Sequence, residues 1–340
     1  MTDSESPYYR SGYNAKSLYL NAQSIGLSAA DRIHIQGKIG LIHSIFQRVI
    51  NITLLGNRLI SLVGQDVGQG PLNILVNIPN HINFSTIGIK KGDIVTRISE
   101  SIVLGENAIV ISTQWTELWE PKRNFRTILQ PLKTIIANVE IMKNITLTSN
   151  YLGGLGELIP LTHINGLKDS KTEKLGSVSH LALPHILSML KAIKSGHSPD
   201  ITRITKHLVG LGPGLTPAAD DMLIGLMISM LYISENFKET SIDVKKINKD
   251  IISIISGRTT IISEEFLREA SVGNVNEAVT SLMENLLTSK QSELENSVRK
   301  ILDLGCTSGT DTVFGVILGS HLMLNDIYCN SNKNEGIFRS

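Results

Sequence analysis

The sequence predicts an α+β protein, in which an antiparallel β-rich domain, either barrel-like or a sandwich, precedes a mostly α-helical domain. Short apolar runs separated by Gly, Asn and Asp fill residues 32–113, which is typical of strands and turns. The apolar segments after residue 128 have helical length and spacing. Two glycine-rich loops each open an apolar helix. We place the β-rich domain at residues 1–120, the helical domain at residues 121–330 and a tail at residues 331–340.

The length of 340 residues accommodates two domains. The formal net charge of +1 gives no electrostatic reason to expect a nucleic acid partner. Two cysteines make no disulfide framework, which fits a reducing compartment. The longest uncharged apolar runs, residues 222–234 and 312–325, are shorter than the roughly 20 residues of a bilayer span. We therefore expect a cytoplasmic protein that does not contact a membrane.

Seven strands are predicted in the β-rich domain. Gly56-Asn57 is typical of a tight hairpin turn. Regularly spaced short strands favour an antiparallel sheet or a small barrel over βαβ units. Before the strands, residues 14–27 are interpreted as a short helix. The predicted strands cover residues 32–36, 44–55, 59–63, 73–76, 94–98, 102–104 and 108–112.

The helical domain is predicted from amphipathic periodicity and from its glycine and proline boundaries. The segment at residues 217–237 is apolar nearly all round, so we predict a buried central helix there. The predicted helices cover residues 128–143, 181–194, 200–208, 217–237, 245–256, 263–270, 275–287, 292–302 and 308–326.

The strongest functional signal is a glycine-rich loop at residues 208–217. Its glycines allow sharp turns and a close approach to a ligand, because they carry no Cβ. Thr216 is a typical N-cap and Pro217 a typical first helical residue. The helix that begins there would present free N–H groups, which favour an anion. The loop lacks the lysine of a P-loop. The glycines are Gly210, Gly212 and Gly214.

The same design recurs at residues 305–311, where the chain runs from glycine through hydroxyl residues to a carboxylate. In both units an aspartate is followed four residues later by a glycine, Asp221 by Gly225 and Asp311 by Gly315. Residues four apart share one helix face. We predict that the two helices pack closely along these faces and bring Asp221 and Asp311 to one site.

Three aspartates, one arginine and one cysteine carry the remaining chemistry. Asp220 and Asp221 could bind Mg²⁺ with Asp311, since Mg²⁺ takes a few carboxylates plus substrate oxygens, or they could position an amide nitrogen. Alternatively, they could simply compensate the dipole of a helix start. No other cofactor is indicated. Arg258 could bind a carboxylate or phosphate, or could be a solvated loop residue. We expect Cys306 to be buried and inert.

The glycine loop resembles the hallmark of the AllH-type family, whose named members are subunits of oxamate carbamoyltransferase. The segments that begin at Arg258 and at Gly305 are similar to the second and third blocks of that family. The family usually has Ser-Gly where this chain has Ala218-Ala219. The residues that carry the resemblance are Gly210-Leu211-Gly212-Pro213-Gly214-Leu215-Thr216-Pro217, followed by Asp220-Asp221 and Gly225.

This resemblance implies a subunit of a multi-subunit enzyme in anaerobic allantoin breakdown, which converts oxalurate and phosphate to oxamate and carbamoyl phosphate. It implies FdrA-like and AllG-type subunits as partners and small anions as ligands. The residues implied to bind substrate are Gly212, Gly214, Thr216, Arg258, Ser308 and Gly309. The residues implied to orient its amide, or to hold a metal, are Asp220, Asp221 and Asp311.

Two other classes of function fit the same residues. A glycine loop that opens a helix can hold nucleotide phosphates with carboxylates on Mg²⁺, as in a small-metabolite kinase. Alternatively, the chain could be a non-catalytic assembly subunit, whose glycine loop only packs against partners. Stabilisation by nucleotide would favour the kinase, and failure to bind any small anion would favour the assembly subunit.

Overall fold

The computed structural model describes residues 17–79, 82–106, 108–149, 152–168, 175–289 and 291–337, with side chains described to residue 331. The chain divides into two compact units, Met1–Pro121 and Lys122–Ser340. The first unit is a barrel-like sheet and the second is helical, so the predicted fold class is confirmed.

In the part of the first unit that the structure describes, the sheet has nine strands and closes on itself. The strands are β1 (Leu18–Gly26), β2 (Gly37–Ile45), β3 (Val49–Leu54), β4 (Arg58–Gly64), β5 (Asn73–Val76), β6 (Ile94–Ile98), β7 (Ser101–Leu104), β8 (Ile109–Ser112) and β9 (Glu117–Trp119). Their order is β5-β4-β3-β2-β6-β7-β8-β1-β9, and a further β1–β5 pairing closes the barrel. Parallel pairing occurs between β1 and β8, β1 and β9, and β4 and β5, whereas the other neighbours are antiparallel. The sheet is therefore mixed, which corrects the prediction of an antiparallel sheet.

Strand β1 lies where the sequence predicts a helix at residues 14–27, so that prediction was wrong for residues 18–26; residues 14–16 lie outside the described part of the chain. Leu20, Ala22 and Ser24 alternate into the barrel interior. Alternation of this kind is the signature of a strand, but small buried residues hide it.

Two further strand predictions are corrected. Residues 32–36 are not a strand, because helix α1 (Leu27–Arg32) ends there and irregular backbone follows. The sequence reasoning also missed most of β2, in which two glycines interrupt the apolar pattern. One of them, Gly40, is required by packing, since a Cβ there would lie 2.3 Å from the Thr53 carbonyl oxygen on β3.

The second unit is helical, as predicted. Its helices are α2 (Leu132–Leu147), α3 (Ser177–Ser195), α4 (Ser198–Leu208), α5 (Ala218–Asn236), α6 (Val244–Ile252), α7 (Ile261–Ser271), α8 (Glu277–Thr288), α9 (Gln291–Leu302) and α10 (Ser308–Ile337). A 3-10 helix, Gly154–Leu161, and a small hairpin, β10 (Thr162–His163) with β11 (Gly166–Leu167), lie between α2 and α3. Helix α2 begins four residues later than predicted because Pro131 is its N-cap.

Helices α5 and α10 form the centre of the helical unit and pack at backbone distance. A Cβ at Gly225 would lie 2.1 Å from the Thr312 carbonyl oxygen, and one at Gly315 would lie 2.0 Å from that of Met222. Further along, a Cβ at Gly319 would lie 2.1 Å from the Ser229 hydroxyl oxygen. The contacts advance in the same direction along both helices, so the helices are parallel and start at the same end.

Helix α10 continues past Asn330 to Ile337, so part of the predicted tail is helical. Within the described residues, its segment Ser308–Ser331 is long and apolar enough to cross a membrane by length and composition alone. In the structure 78% of that apolar window is buried inside the protein, as expected for a core helix.

Candidate functional site

The candidate site lies at the shared starting end of α5 and α10. The hydroxyl groups of Thr216 and Ser308, which precede and open the two helices, are 3.0 Å apart and hydrogen-bonded. Because α5 and α10 are parallel and close, their first turns place Asp221 and Asp311 within electrostatic reach of each other. The predicted convergence of the two glycine-to-helix units is therefore observed.

The glycine loop has a backbone that only glycine tolerates readily. Gly210, Gly212 and Gly214 have φ angles of 80°, 123° and 97°. A Cβ at Gly210 would lie 2.4 Å from the Arg258 carbonyl oxygen, and one at Gly212 would lie 2.6 Å from the Ala218 amide nitrogen. A Cβ at Gly214 would meet open space, since this residue lies at the exposed tip of the loop. Packing thus fixes the base of the loop and leaves its tip accessible.

The helix start differs from the prediction by one residue. Pro217 is the N-cap of α5, and Ala218 is its first residue, so Thr216 does not cap the helix. The Ala219 amide already donates to the Leu211 carbonyl oxygen at 3.0 Å. The helix terminus therefore offers fewer free donors than predicted.

The loop itself presents the free backbone donors. Four residues that lie next to Pro213 or between Pro213 and Pro217 have backbone amides without a backbone acceptor among the described residues. Successive backbone N–H groups at a glycine-rich bend can form an anion-binding concavity. The four residues are Gly212, Gly214, Leu215 and Thr216.

Asp220 holds the loop in place. Its carboxylate accepts hydrogen bonds from the Gly210 amide at 2.8 Å, from the Ser263 hydroxyl at 2.6 Å and from the Thr259 hydroxyl. Burial raises the pKa of Asp220, and these three hydrogen bonds oppose the rise. Asp220 thus joins the glycine loop to the start of α7, and both of its oxygens are occupied.

Asp311 is enclosed by a glycine-rich segment at residues 152–157. It accepts a hydrogen bond from the Leu155 amide at 2.6 Å, and a Cβ at Gly154 would lie 2.5 Å from the same carboxylate oxygen. Burial raises the pKa of Asp311 to about 7, while the Leu155 amide and the Thr307 hydroxyl act in the opposite direction. Its other oxygen, Oδ2, is buried and has no hydrogen-bond partner among the described residues.

Asp221 is buried beside Asp311. Burial raises the pKa of Asp221 well above its usual range, and the negative charges of Asp311 and Asp220 raise it further. The hydroxyls of Ser308 and Thr216 lower it. Like Asp311, Asp221 has a buried Oδ2 without a hydrogen-bond partner in the described chain.

The three aspartates do not form one cluster. Within the described residues, no group of three His, Cys, Asp or Glu side chains could hold a metal ion, and the oxygens of Asp220 are bonded elsewhere. Asp221 and Asp311 remain as a pair of buried carboxylates, flanked by the hydroxyls of Thr216 and Ser308.

Three other residues singled out in the sequence have different environments. Arg258 is exposed beside the glycine loop, on the segment whose carbonyl group contacts Gly210. Gly309 is buried, and its amide donates to the Leu304 carbonyl oxygen at 3.1 Å, so it is a packing residue rather than a free donor. Cys306 is exposed and free, which corrects the expectation that it is buried.

Sequence reasoning gave no role to two sets of residues that shape the site. Gly153, Gly154 and Gly156 pack against the start of α10. Thr259 and Ser263 hold Asp220, as described above. A sequence signal for the first set was its glycine density, which matches that of the central loop. The segment is Leu152-Gly153-Gly154-Leu155-Gly156.

Comparison with known proteins places the chain in the class of carbamoyltransferase subunits. A family model described as oxamate carbamoyltransferase subunit AllH matches residues 208–320, which include the glycine loop and the start of α10. A second model, described as the AllH family N-terminal domain, matches residues 21–117. The chain belongs to the AllH family, and the name of the family implies a multi-subunit complex. No solved structure matches the chain.

Proposed function

We propose that this protein is a subunit of a cytoplasmic oxamate carbamoyltransferase that acts in anaerobic allantoin degradation. The reaction joins phosphate to the carbamoyl group of oxalurate and releases oxamate. A phosphate oxygen bonds to the carbamoyl carbon, the bond from that carbon to the oxamate nitrogen breaks, and the proton of phosphate moves to that nitrogen. The products are carbamoyl phosphate and oxamate.

The observation that carries the proposal is the open loop at the start of two parallel helices. Backbone amides at Gly212, Gly214, Leu215 and Thr216 have no backbone acceptor in the described chain. Donors held in place before the substrate arrives stabilise phosphate and the developing oxyanion of an acyl-transfer reaction. The loop is held by Asp220 and by packing against Arg258, so it is ordered in advance.

The positions of the other side chains at the site determine the roles that we assign to them. Exposed Arg258 binds the substrate carboxylate, because a guanidinium pairs with a carboxylate through two hydrogen bonds. Asp221 and Asp311, whose Oδ2 atoms have no hydrogen-bond partner in the described chain, orient the amide nitrogen of the substrate. Ser308 and Thr216 position Asp221 through their hydroxyls. Asp220 acts as a positioning residue and does not contact substrate.

The partners in this proposal are an FdrA-like and an AllG-type subunit. The test therefore uses the complex purified after co-expression of all the subunits, and it measures formation of oxalurate from oxamate and carbamoyl phosphate. We expect Asp221→Asn to reduce turnover by more than about tenfold, since it removes a carboxylate from the reacting centre. Asp200→Asn, at an exposed ion-paired position of α4, is the matched control and should retain activity.

Four outcomes would count against the proposal. A complex with no carbamoyl transfer would exclude it, and an Asp221→Asn complex with unchanged turnover would remove the assigned site. Thermal stabilisation of the chain by nucleotide but not by phosphate would favour a metabolite kinase. A chain that assembles with its partners but binds no phosphate would favour a purely structural subunit.

A further inference from the structure

The pair of carboxylates formed by Asp221 and Asp311 is an unusual feature in the middle of a buried region. Asp221 is 5% exposed and Asp311 is fully buried. Charged groups removed from water are normally paired with an opposite charge or with a metal ion, because isolated burial is costly. Among the described residues, neither carboxylate takes part in an ion pair.

Each of the two carboxylates has one oxygen that accepts no hydrogen bond from the described residues. Oδ2 of Asp221 and Oδ2 of Asp311 are buried and have no hydrogen-bond partner among the described residues. Buried polar atoms of this kind are rare in folded proteins, and each one calls for an explanation such as an ion or a water molecule. The two side chains repel each other when both are ionised, so a positively charged group between them would satisfy both oxygens and also remove the repulsion.

The surrounding atoms are suited to a hard cation. The hydroxyl oxygens of Thr216 and Ser308 lie beside Asp221 and provide further lone pairs. Mg²⁺ and Mn²⁺ take oxygen ligands, and Mg²⁺ is usually held by one or two carboxylates together with substrate phosphate oxygens. The loop that offers free amides to a phosphate ends at Thr216, the residue whose hydroxyl flanks the carboxylates.

We propose that Asp221 and Asp311 together bind one divalent cation, Mg²⁺ in the cell, through their unpartnered oxygens, next to the anion held by the glycine loop. The cation neutralises the two carboxylates and contacts the phosphate or carbamoyl oxygens of the substrate. Water molecules and the flanking hydroxyls complete its ligands. The contact between the cation and the substrate rests on the proposed transferase function, whereas the cation site itself does not.

The experiment measures binding of Mn²⁺ to the full-length chain by electron paramagnetic resonance and by calorimetry, first alone and then with inorganic phosphate. We expect one Mn²⁺ per chain, displaced by excess Mg²⁺, and tighter binding when phosphate is present. Asp311→Asn and Asp221→Asn should each weaken Mn²⁺ binding by at least about tenfold, the smaller end of the loss seen when metal sites lose supporting groups. Asp200→Asn should bind Mn²⁺ like the wild type.

Folding of the variants is checked by thermal unfolding with EDTA, because a variant that unfolds cooperatively at or above the wild-type temperature but binds no Mn²⁺ has lost only the site. If the wild-type chain binds no Mn²⁺, alone and with phosphate, the inference is overturned. If Mn²⁺ binds but both Asn variants bind it equally well, the site lies elsewhere and the inference also fails. Transfer activity that persists in EDTA would remove the catalytic part of the inference while leaving the proposed function intact. If a complex without transfer activity binds Mn²⁺, the proposed function fails and the cation site remains.

Discussion

The starts of α5 and α10 come from similar sequence patterns, but they have different structures. The approach to α5 is an open loop with three left-handed glycines and several unoccupied amides. The approach to α10 is a tight turn, in which the Gly309 amide donates to Leu304 and the Asp311 amide donates to Thr307. The first start is suited to receive a ligand, and the second is closed by its own backbone.

The aspartates of the two starts differ in the same way. Asp220 has every oxygen bonded within the chain, whereas Asp221 and Asp311 each keep one oxygen unpartnered. Adjacent positions on α5 therefore have separate roles, one in holding the loop and one in facing the second helix. An acidic pair at a helix start therefore need not act as a unit.

The largest effect is expected from separating the two helices. At Gly315, a Cβ would lie 2.0 Å from the Met222 carbonyl oxygen and 2.8 Å from the Leu226 amide nitrogen, so the backbones of α5 and α10 would have to move apart. We expect Gly315→Ala to lower the free energy of unfolding by more than about 4 kcal/mol, despite the better helix propensity of alanine. Urea unfolding, monitored by circular dichroism, measures this change in the free energy of unfolding.

The control for this variant is Cys329→Ala, at an exposed position on the same helix, which should change stability by less than about 0.5 kcal/mol. A Gly315→Ala protein as stable as the wild type would show that the two helix starts need not be in register. The comparison between them would then lose its structural basis.

The second effect has the opposite sign and depends on pH. The pKa of Asp311 is raised from 3.8 to about 7, so this residue binds a proton more tightly in the folded state than in the unfolded state. Its contribution to stability is complete below pH 4 and is lost as the pH rises to about 7. Asp311→Asn keeps an oxygen for the Leu155 amide and cannot ionise. In EDTA at pH 8 it should therefore be more stable than the wild type, by at most about 4 kcal/mol.

Equilibrium unfolding at several pH values tests this prediction. The difference between Asp311→Asn and the wild type should grow between pH 4 and pH 7 and then level off. The same series with Asp200→Asn, an exposed carboxylate paired with Arg203, should show no such growth. A variant that is less stable than the wild type at pH 8 would mean that the Asp311 carboxylate is stabilised by its surroundings.

The fold class, most helices and the convergence of Asp221 with Asp311 could be predicted from the sequence, because periodicity and glycine spacing are local signals. Strand β1 could not, since the alternation of Ala22 and Ser24 is weak in hydrophobicity. The separate roles of Asp220 and Asp221 were also hidden. They depend on Thr259 and Ser263, which only the folded chain brings to Asp220.

The third effect tests the holding role of Asp220. Asp220→Asn replaces an acceptor by a donor opposite the Ser263 and Thr259 hydroxyls or the Gly210 amide, so a buried hydrogen bond is lost. We expect a loss of about 2 kcal/mol in the free energy of unfolding. Hydrogen exchange of the Gly210 amide should also accelerate. Equal exchange in variant and wild type would mean that the loop does not depend on Asp220.

The smallest effect separates ligand binding from backbone strain at the tip of the glycine loop. Gly214 and Gly196 both have left-handed backbones, with φ of 97° and 65°, and a Cβ at either would meet open space. Changing either glycine to alanine should cost about 1 kcal/mol of stability through the backbone alone. Only Gly214→Ala should also weaken binding of inorganic phosphate, by about tenfold, because Gly196 ends α3 and has no part in the loop. Calorimetric titration of both variants with phosphate decides the question, since equal affinity would mean that the tip of the loop does not contact the anion.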